Sequence, residues 1–311
     1  MTRPRVGPAA VRELDVDLGG PAHYADYGGQ GTPLVLVHGL GGSRLNWMAV
    51  APALAESNRV YALEYLGHGL TPLAGRKANL EGHRQLIDAF IRKVVGTPAV
   101  LVGNSTGGHL ALIEAALRPE QVAGLVLVDP AVPIPVGRGT VPSPAALAMV
   151  PLLFRGVGEA LMMANARRTT SAMIVHQTLR LVAPDITRIP EEVVDAHLEA
   201  HRDRHGNPEA NLAFLQTARS LTFANLRRAE FYRKVRRVRA PTLVIQGEVD
   251  RLVPLAAIRR LLAVRPDWDL HLFPGLGHVP MMEDPPGFVA VVLRWLAEAG
   301  RVTPERHRDA S

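Results

Sequence analysis

Residues 99–108 read AVLVGNSTGG, an apolar run followed by a serine that has a glycine two residues away on each side. The apolar run predicts a strand, and helix-like periodicity begins at residue 107. Gly103 and Gly107 fit a sharp strand–turn–helix junction, because larger side chains on either side of Ser105 would collide there. In such a turn Ser105 is a candidate nucleophile, although these letters alone also describe an ordinary loop of small residues.

A nucleophilic serine needs nearby donors for the oxyanion that forms after its attack. The first amide of the following helix, that of Thr106, is one candidate donor. The glycine-rich stretch VHGLGGS (37–43) follows a neighbouring strand, and its glycines would let the Leu40 amide approach as a second donor. GLGGSR does not fit G-x-G-x-x-G, and no P-loop lysine follows it, so a phosphate-binding loop is disfavoured.

A base and an acid stand later in the chain, each in a loop after a predicted strand. Asp250 lies in LVIQGEVDRLVP (243–254), and His278 lies between glycine and valine in LFPGLGHVPMMEDP (272–285). The order Ser105, Asp250, His278 agrees with one known arrangement of a catalytic triad, in which the histidine acts as base and the aspartate orients it. Asp129, after an earlier strand, is an alternative acid.

Short apolar runs alternate with helix-length periodic segments along most of the chain, which is typical of a mostly parallel sheet covered by helices. Strands are predicted at 12–18, 22–28, 33–39, 59–65, 99–104, 124–130, 241–250 and 268–275, and helices at 46–57, 79–95, 107–118, 254–264 and 285–299. The first two strands are expected to be antiparallel.

The alternation stops between Asp129 and Pro241, where no convincing strand occurs. Helix-like segments are found there instead, at 144–167, 171–182, 190–205 and 208–220. The stretch is too long for a loop, so it is a second domain or a helical lid inserted into the sheet order.

The composition indicates a globular protein, with 47% hydrophobic and 21% charged residues in 311. The formal net charge of +6 comes largely from LRRAEFYRKVRRVR (226–239), whose interleaved apolar residues favour an amphipathic element with a solvated basic face. No nucleic-acid partner and no stable membrane insertion are expected. Cysteine is absent, and a cytoplasmic location is the default expectation.

Five motifs together resemble the α/β-hydrolase superfamily over residues 11–299: HGLGGS, LEYLGHGLT, GNSTGG, GEVDRLVP and GLGHVPMMEDP. The resemblance implies an eight-stranded, mostly parallel sheet with a helical cap inserted after the sixth strand. The implied division is a core of residues 1–133 and 226–311 and a cap of residues 134–225. Glu64 replaces the family's usual aspartate in the turn after the fourth strand, a turn that is expected to be structural.

The resemblance also narrows the classes of reaction that the chain could catalyse. Epoxide hydrolases and haloalkane dehalogenases of this fold carry an aspartate where this chain has Ser105. GNSxGG is frequent in hydrolases of ring-cleavage products, which cut a carbon–carbon bond. Those relatives usually have tryptophan where this chain has Val279, and proline in the oxyanion loop where this chain has GGS. The prediction is therefore a serine hydrolase of a carboxylic ester, thioester or lactone of a hydrophobic small molecule. A carbon–carbon hydrolase and a receptor-like ligand-binding protein with little turnover are the alternatives.

No cofactor or metal is expected, and the oligomeric state is left open. His197, His201 and His205 would form one stripe on a helix, either as a metal site or, as we favour, on a solvated cap helix. A second group is apolar and lines either an acyl pocket or the cap core: Met149, Leu152, Leu153, Phe154, Leu161, Met162, Met163 and Met173.

Overall fold

One eight-stranded sheet organises the chain, which the computed structural model describes for residues 11–135 and 150–302. The strands are β1 (Arg12–Asp17), β2 (Pro21–Gly28), β3 (Thr32–Val37), β4 (Asn58–Leu63), β5 (Ala99–Asn104), β6 (Val122–Val128), β7 (Thr242–Gly247) and β8 (Asp269–Phe273). Their order across the sheet is β1-β2-β4-β3-β5-β6-β7-β8. Among these strands, β2 alone runs opposite to the others. The predicted mostly parallel α/β sheet is confirmed.

Helices cover both faces of the sheet. They are α1 (Ala51–Ala55), α2 (Leu80–Phe90), α3 (Thr106–Leu117), α4 (Val157–Arg168), α5 (Ser171–Val182), α6 (Glu191–Arg204), α7 (Pro208–Leu226), α8 (Arg228–Val235), α9 (Leu255–Val264), α10 (Pro280–Glu283) and α11 (Pro285–Val302). Helices α2, α3, α8 and α9 bury apolar side chains on one face, and α1 and α11 do so on the other. Because both faces are covered, the central strands are apolar throughout, as the sequence pattern predicts.

The single helix predicted at 46–57 is wrong. The chain forms a short 3-10 helix at Arg44–Trp47, whose N-terminus is capped by the Ser43 side chain, and then α1 begins at Ala51. Pro52 has no N–H to donate to a carbonyl of the preceding turn, so a continuous helix cannot pass through it. Apolar periodicity alone does not show this break.

Helices α4 to α8 lie between β6 and β7 in the described part of the chain, and we call α4 to α7 together with the 3-10 helix Val150–Leu153 the cap. Of the helix predicted at 144–167, residues 144–149 lie outside the described residues. The remainder is divided by Gly156, whose φ of +82° is left-handed and stops the first helical turn before α4 begins. Helix α7 continues beyond the predicted end at 220, to Leu226. The division of the chain into core and cap remains a prediction.

The basic segment is an amphipathic element, as predicted. Phe231 and Val235 of α8 and Val238 just after it are buried, while most basic residues of the segment lie toward solvent. Leu226 does not belong to this buried face, because it ends α7 and is 69% exposed. Among the described helices, none combines the length and the hydropathy that crossing a membrane would require.

Glu64, in the turn after β4, is buried and connects two loops through hydrogen bonds. Its carboxylate is fully buried and accepts hydrogen bonds from the backbone N–H of Arg44 and of Leu70 and from the Arg44 guanidinium. The Glu64 carbonyl accepts a further bond from the Thr71 hydroxyl. These contacts join the turn after β4 to the loop after β3, which is the structural role that the sequence suggests.

We expect Glu64→Ala to lower the free energy of unfolding by about 3–5 kcal/mol, because it leaves the backbone N–H groups of Arg44 and Leu70 without their acceptor and leaves the Arg44 guanidinium only its partially exposed partner Glu13. Glu230→Ala is the matched control, since Glu230 forms a solvent-accessible ion pair with Lys234 and its loss should change stability much less. Urea unfolding measures both values. Equal losses in the two variants would contradict the anchoring role of Glu64.

Candidate active site

Ser105 joins β5 directly to α3 in a strained backbone conformation. Its φ of 53° and ψ of −114° lie in a region that non-glycine residues rarely occupy, at a cost of about 1–3 kcal/mol. Three hydrogen bonds hold it there: its N–H donates to the Val128 carbonyl, and its carbonyl accepts from the N–H groups of His109 and Ala131. The turn is therefore fixed by the neighbouring strand as well as by α3.

Gly103 and Gly107 are required by close backbone contacts. A Cβ at Gly107 would lie 2.1 Å from the Val37 carbonyl oxygen, and a Cβ at Gly103 would lie 2.4 Å from the Gly107 carbonyl oxygen. No side chain fits at either position without moving backbone. This is the steric reason that the sequence analysis gives for the two glycines.

The loop after β3 lies against Ser105. A Cβ at Gly39 would be 3.2 Å from the Ser105 Cβ, so the loop that carries Leu40, the next residue, passes directly beside the serine. Thr106 is fully buried, and as the first residue of α3 its N–H precedes the helix's own hydrogen-bond ladder. Both predicted oxyanion donors thus belong to segments that adjoin Ser105.

His278 and Asp250 form a buried pair. His278 Nδ1 lies 2.7 Å from Asp250 Oδ2, and the two side chains are 5% and 0% exposed. Asp250 Oδ1 accepts hydrogen bonds from the N–H groups of Leu252 and Val253. Burial acts to raise the pKa of Asp250, but the charge and hydrogen bond of His278 and these two amides outweigh it and lower that pKa. With Nδ1 held by Asp250, Nε2 is the ring nitrogen that can take up a proton.

The histidine loop is fastened by Glu283, which the sequence analysis does not single out. The buried Glu283 carboxylate accepts hydrogen bonds from the N–H groups of Gly277 and Val279, on either side of His278. Burial raises the pKa of Glu283, although these bonds act in the opposite direction. The sequence does carry one signal for this role, which is an acid shortly after His278 in GHVPMMEDP.

Two further contacts tie the same loop to its surroundings. The Asn104 side-chain amide donates to the carbonyls of His278 and Val128, at 3.0 and 3.2 Å, which links the residue before Ser105 to the histidine loop. The His278 N–H donates to the Val182 carbonyl of α5, at 2.7 Å. The cap and the residue before Ser105 therefore both hold the backbone of His278.

The histidine stripe of the cap does not gather into an ion site in the described part of the chain. His197 Nδ1 donates to the Val193 carbonyl, and His205 Nε2 donates to the Ala166 carbonyl. Across residues 11–135 and 150–302, the one group of three such side chains with ligand atoms close enough for an ion is Asp129, Asp250 and His278.

The apolar cap residues are not a common core. Four of them are 44–61% exposed: Phe154, Leu161, Met163 and Met173. Met149 lies outside the described residues. The cap-core alternative is therefore wrong for these four, and the choice between an acyl pocket and a cap core stays open for the other described residues of the group.

We expect Gly107→Ala to reduce both stability and any activity that depends on Ser105, because the new Cβ must push α3 away from the end of β3. Gly206→Ala is the control: its φ of +73° is left-handed, but its Cβ would meet open space. The control should lose only about 1–2 kcal/mol of conformational energy. Urea unfolding and Ser105 labelling by a phosphonate measure the two effects. A Gly107→Ala protein as stable and as reactive as the control would contradict the steric argument.

Comparison with known proteins gives a consistent result. A model of the alpha/beta hydrolase family matches residues 34–291. A 2-hydroxymuconate semialdehyde hydrolase of Pseudomonas sp. (strain CF600) is 31% identical over 96% of this chain and 98% of the relative. A 2-hydroxy-6-oxononadienedioate/2-hydroxy-6-oxononatrienedioate hydrolase of Pseudomonas putida is 26% identical over 93% of this chain and 95% of the relative.

A solved structure of similar fold is a serine hydrolase involved in carbazole degradation, with a TM-score of 0.68 and 25% identity, over 93% of this chain and all of that one. The resemblance stated from the five motifs is confirmed. The family match runs from β3 into α11 and agrees with the strand order, so the chain belongs to the alpha/beta hydrolase family.

Proposed function

We propose that this hydrolase cleaves a carboxylic ester, thioester or lactone of a hydrophobic small molecule through an acyl-enzyme on Ser105. The observation that carries the proposal is the buried hydrogen bond between His278 and Asp250. The loop that contains His278 is tied by Asn104 to the strained turn at Ser105. A histidine oriented in this way is what a serine needs in order to become a nucleophile.

In the proposed reaction, His278 Nε2 takes the proton of the Ser105 hydroxyl as its oxygen attacks the substrate carbonyl. Asp250 fixes the imidazole tautomer and stabilises the imidazolium that forms. The amides of Leu40 and Thr106 donate to the oxyanion of the tetrahedral intermediate. His278 then gives its proton to the leaving alcohol, thiol or lactone oxygen, and a water molecule, activated in the same way, releases the acid.

A hydrophobic substrate is favoured by the surroundings of the oxyanion loop. Helix α7 of the cap reaches this loop, where the Phe214 ring would lie 3.2 Å from a Cβ at Gly41. An aromatic side chain beside the reacting carbonyl suits an apolar acyl group, since such pockets bind mainly through buried apolar surface. We propose no nucleic-acid partner, cofactor or metal for this reaction.

We expect Ser105→Ala to lower kcat for nitrophenyl esters by about 10⁴-fold or more, because the nucleophile and its base act as a unit. A series of acyl-chain lengths identifies the preferred ester. Ser57→Ala, at an exposed serine next to β4, is the matched control and should keep full activity. A phosphonate should label wild type and the control but not Ser105→Ala. A folded wild-type protein that binds such esters tightly without turning them over would instead support a receptor-like protein.

Carbon–carbon bond hydrolysis is the second candidate, favoured by the full-length similarity to two ring-cleavage-product hydrolases. Val279 and the GGS of the oxyanion loop depart from the pattern described for that branch, and for this reason we place ester hydrolysis first. The comparison of kcat/KM for a 2-hydroxy-6-oxo-dienoate with that for the best nitrophenyl ester separates the two. We expect the ester to have the higher value, and a higher value for the dienoate would reverse the assignment.

A further inference from the structure

Asp129 is a buried acid that the proposed reaction does not use. It follows β6, it is fully buried, and its φ of 44° is left-handed. Its backbone N–H donates to the Ile245 carbonyl at 2.8 Å. A left-handed backbone is strained for a non-glycine residue, and a buried polar side chain is costly without hydrogen bonds. Both features of Asp129 therefore need a physical reason.

The two oxygens of the Asp129 side chain have different surroundings. Oδ1 accepts a hydrogen bond from the Gly247 N–H at 2.9 Å, whereas Oδ2 is buried and has no partner that donates to it within the described residues. The side chains of Asp250 and His278 are close by, since one ligand atom from each of the three residues lies within 4.8 Å of the others. Asp129 is thus a second carboxyl group beside the one that orients His278.

Two adjacent buried carboxyl groups cannot both be charged without a large electrostatic penalty, so such pairs share one proton. Asp250 has the better-stabilised charge, because it accepts from two backbone amides and from His278. Among the residues that the structure describes, Asp129 accepts from the Gly247 amide alone. The third acid facing this site, Glu283 on α10, adds a further negative group and also favours a neutral Asp129.

We propose that Asp129 is a neutral carboxylic acid whose Oδ2–H donates a hydrogen bond to the Asp250 carboxylate. Asp129 is then a positioning residue: it holds Asp250, and Asp250 in turn holds His278. The effect of Asp129 on turnover rests on the proposed function, whereas the protonation state of Asp129 does not depend on it. The unpartnered oxygen is explained, because a protonated Oδ2 serves as a donor and needs no donor of its own.

The electrostatics of the site agree with this assignment. Burial raises the pKa of Asp129 well above its ordinary value of 3.8, and the charge of Asp250 raises it further. The Gly247 N–H acts in the opposite direction but is outweighed. Because the pKa is higher in the folded than in the unfolded protein, the contribution of Asp129 to stability is fully present below pH 3.8. It is lost progressively as the pH rises toward the folded-state pKa.

Asp129→Asn is the decisive variant. An asparagine is neutral at every pH, can accept from the Gly247 N–H through its oxygen and can donate to Asp250 through its amide nitrogen. Asparagine is also among the few residues that tolerate a left-handed φ. Asp129→Ala removes both hydrogen bonds and is the comparison.

We expect an infrared band of a protonated carboxyl group in the wild-type protein at neutral pH, and its loss in Asp129→Asn. We also expect the melting temperature of the Asn variant, relative to wild type, to rise between pH 5 and pH 8, since only wild type must keep a proton on a buried acid. Absence of the band, or a difference in melting temperature that does not change with pH, would overturn the proposal. These two measurements need no substrate.

Kinetics test the positioning role. We expect Asp129→Asn to keep kcat close to wild type, and Asp129→Ala to lower kcat by about 10- to 100-fold with little change in KM, as the loss of a hydrogen bond to a charged group predicts. Equal impairment of the two variants would show that Asp129 acts as a charged carboxylate. A melting temperature that Zn²⁺ or Mg²⁺ raises in wild type but not in Asp129→Asn would show the same. If no ester is turned over, the infrared and melting results still decide the protonation of Asp129.

Discussion

The close contact between the first turn of α3 and the last carbonyl of β3 constrains the backbone around Ser105 at the carboxyl edge of the sheet. Because Gly107 has no Cβ, α3 can begin directly above β3, and the chain must then reverse within one residue. That residue is Ser105, whose left-handed backbone is the geometric result of the reversal. The strain is offset by hydrogen bonds to β6 and the segment after it, so the serine is held by the sheet rather than by a flexible loop.

Buried acids hold the loops that surround this turn. Glu64, Asp250 and Glu283 each accept backbone N–H groups from a loop at the same edge of the sheet. Such bonds supply partners for amides that regular secondary structure leaves unpaired. Asp250 and Glu283 also concentrate negative charge beside Asp129, which is the reason that Asp129 is neutral in our interpretation.

Much of the fold could be predicted from the sequence, because the strands are buried on both faces and read as continuous apolar runs. The order of Ser105, Asp250 and His278 was also readable, since each follows a strand. The break before α1 was readable from Pro52 but not from apolar periodicity, and the end of α7 was not readable from periodicity because its last residues, such as Phe223 and Leu226, are exposed. The proximity of Asp129 to Asp250 depends on where two side chains point at the ends of neighbouring strands, and the linear sequence does not contain that information. The position of Glu283 shortly after His278 was readable, but its role was not, because its partners are the backbone amides of Gly277 and Val279.

The hydrogen bond from His278 to Val182 gives the cap a mechanical role. The backbone amide of the residue that would move the proton is bonded to the last turn of α5, and Gly277 beside it is packed against the same carbonyl. At its other side, the cap rests on the glycine loop through Phe214. The backbone of His278 is thus held by the cap as well as by the sheet, so a displacement of α5 from the sheet would have to break or stretch the hydrogen bond from His278 to Val182.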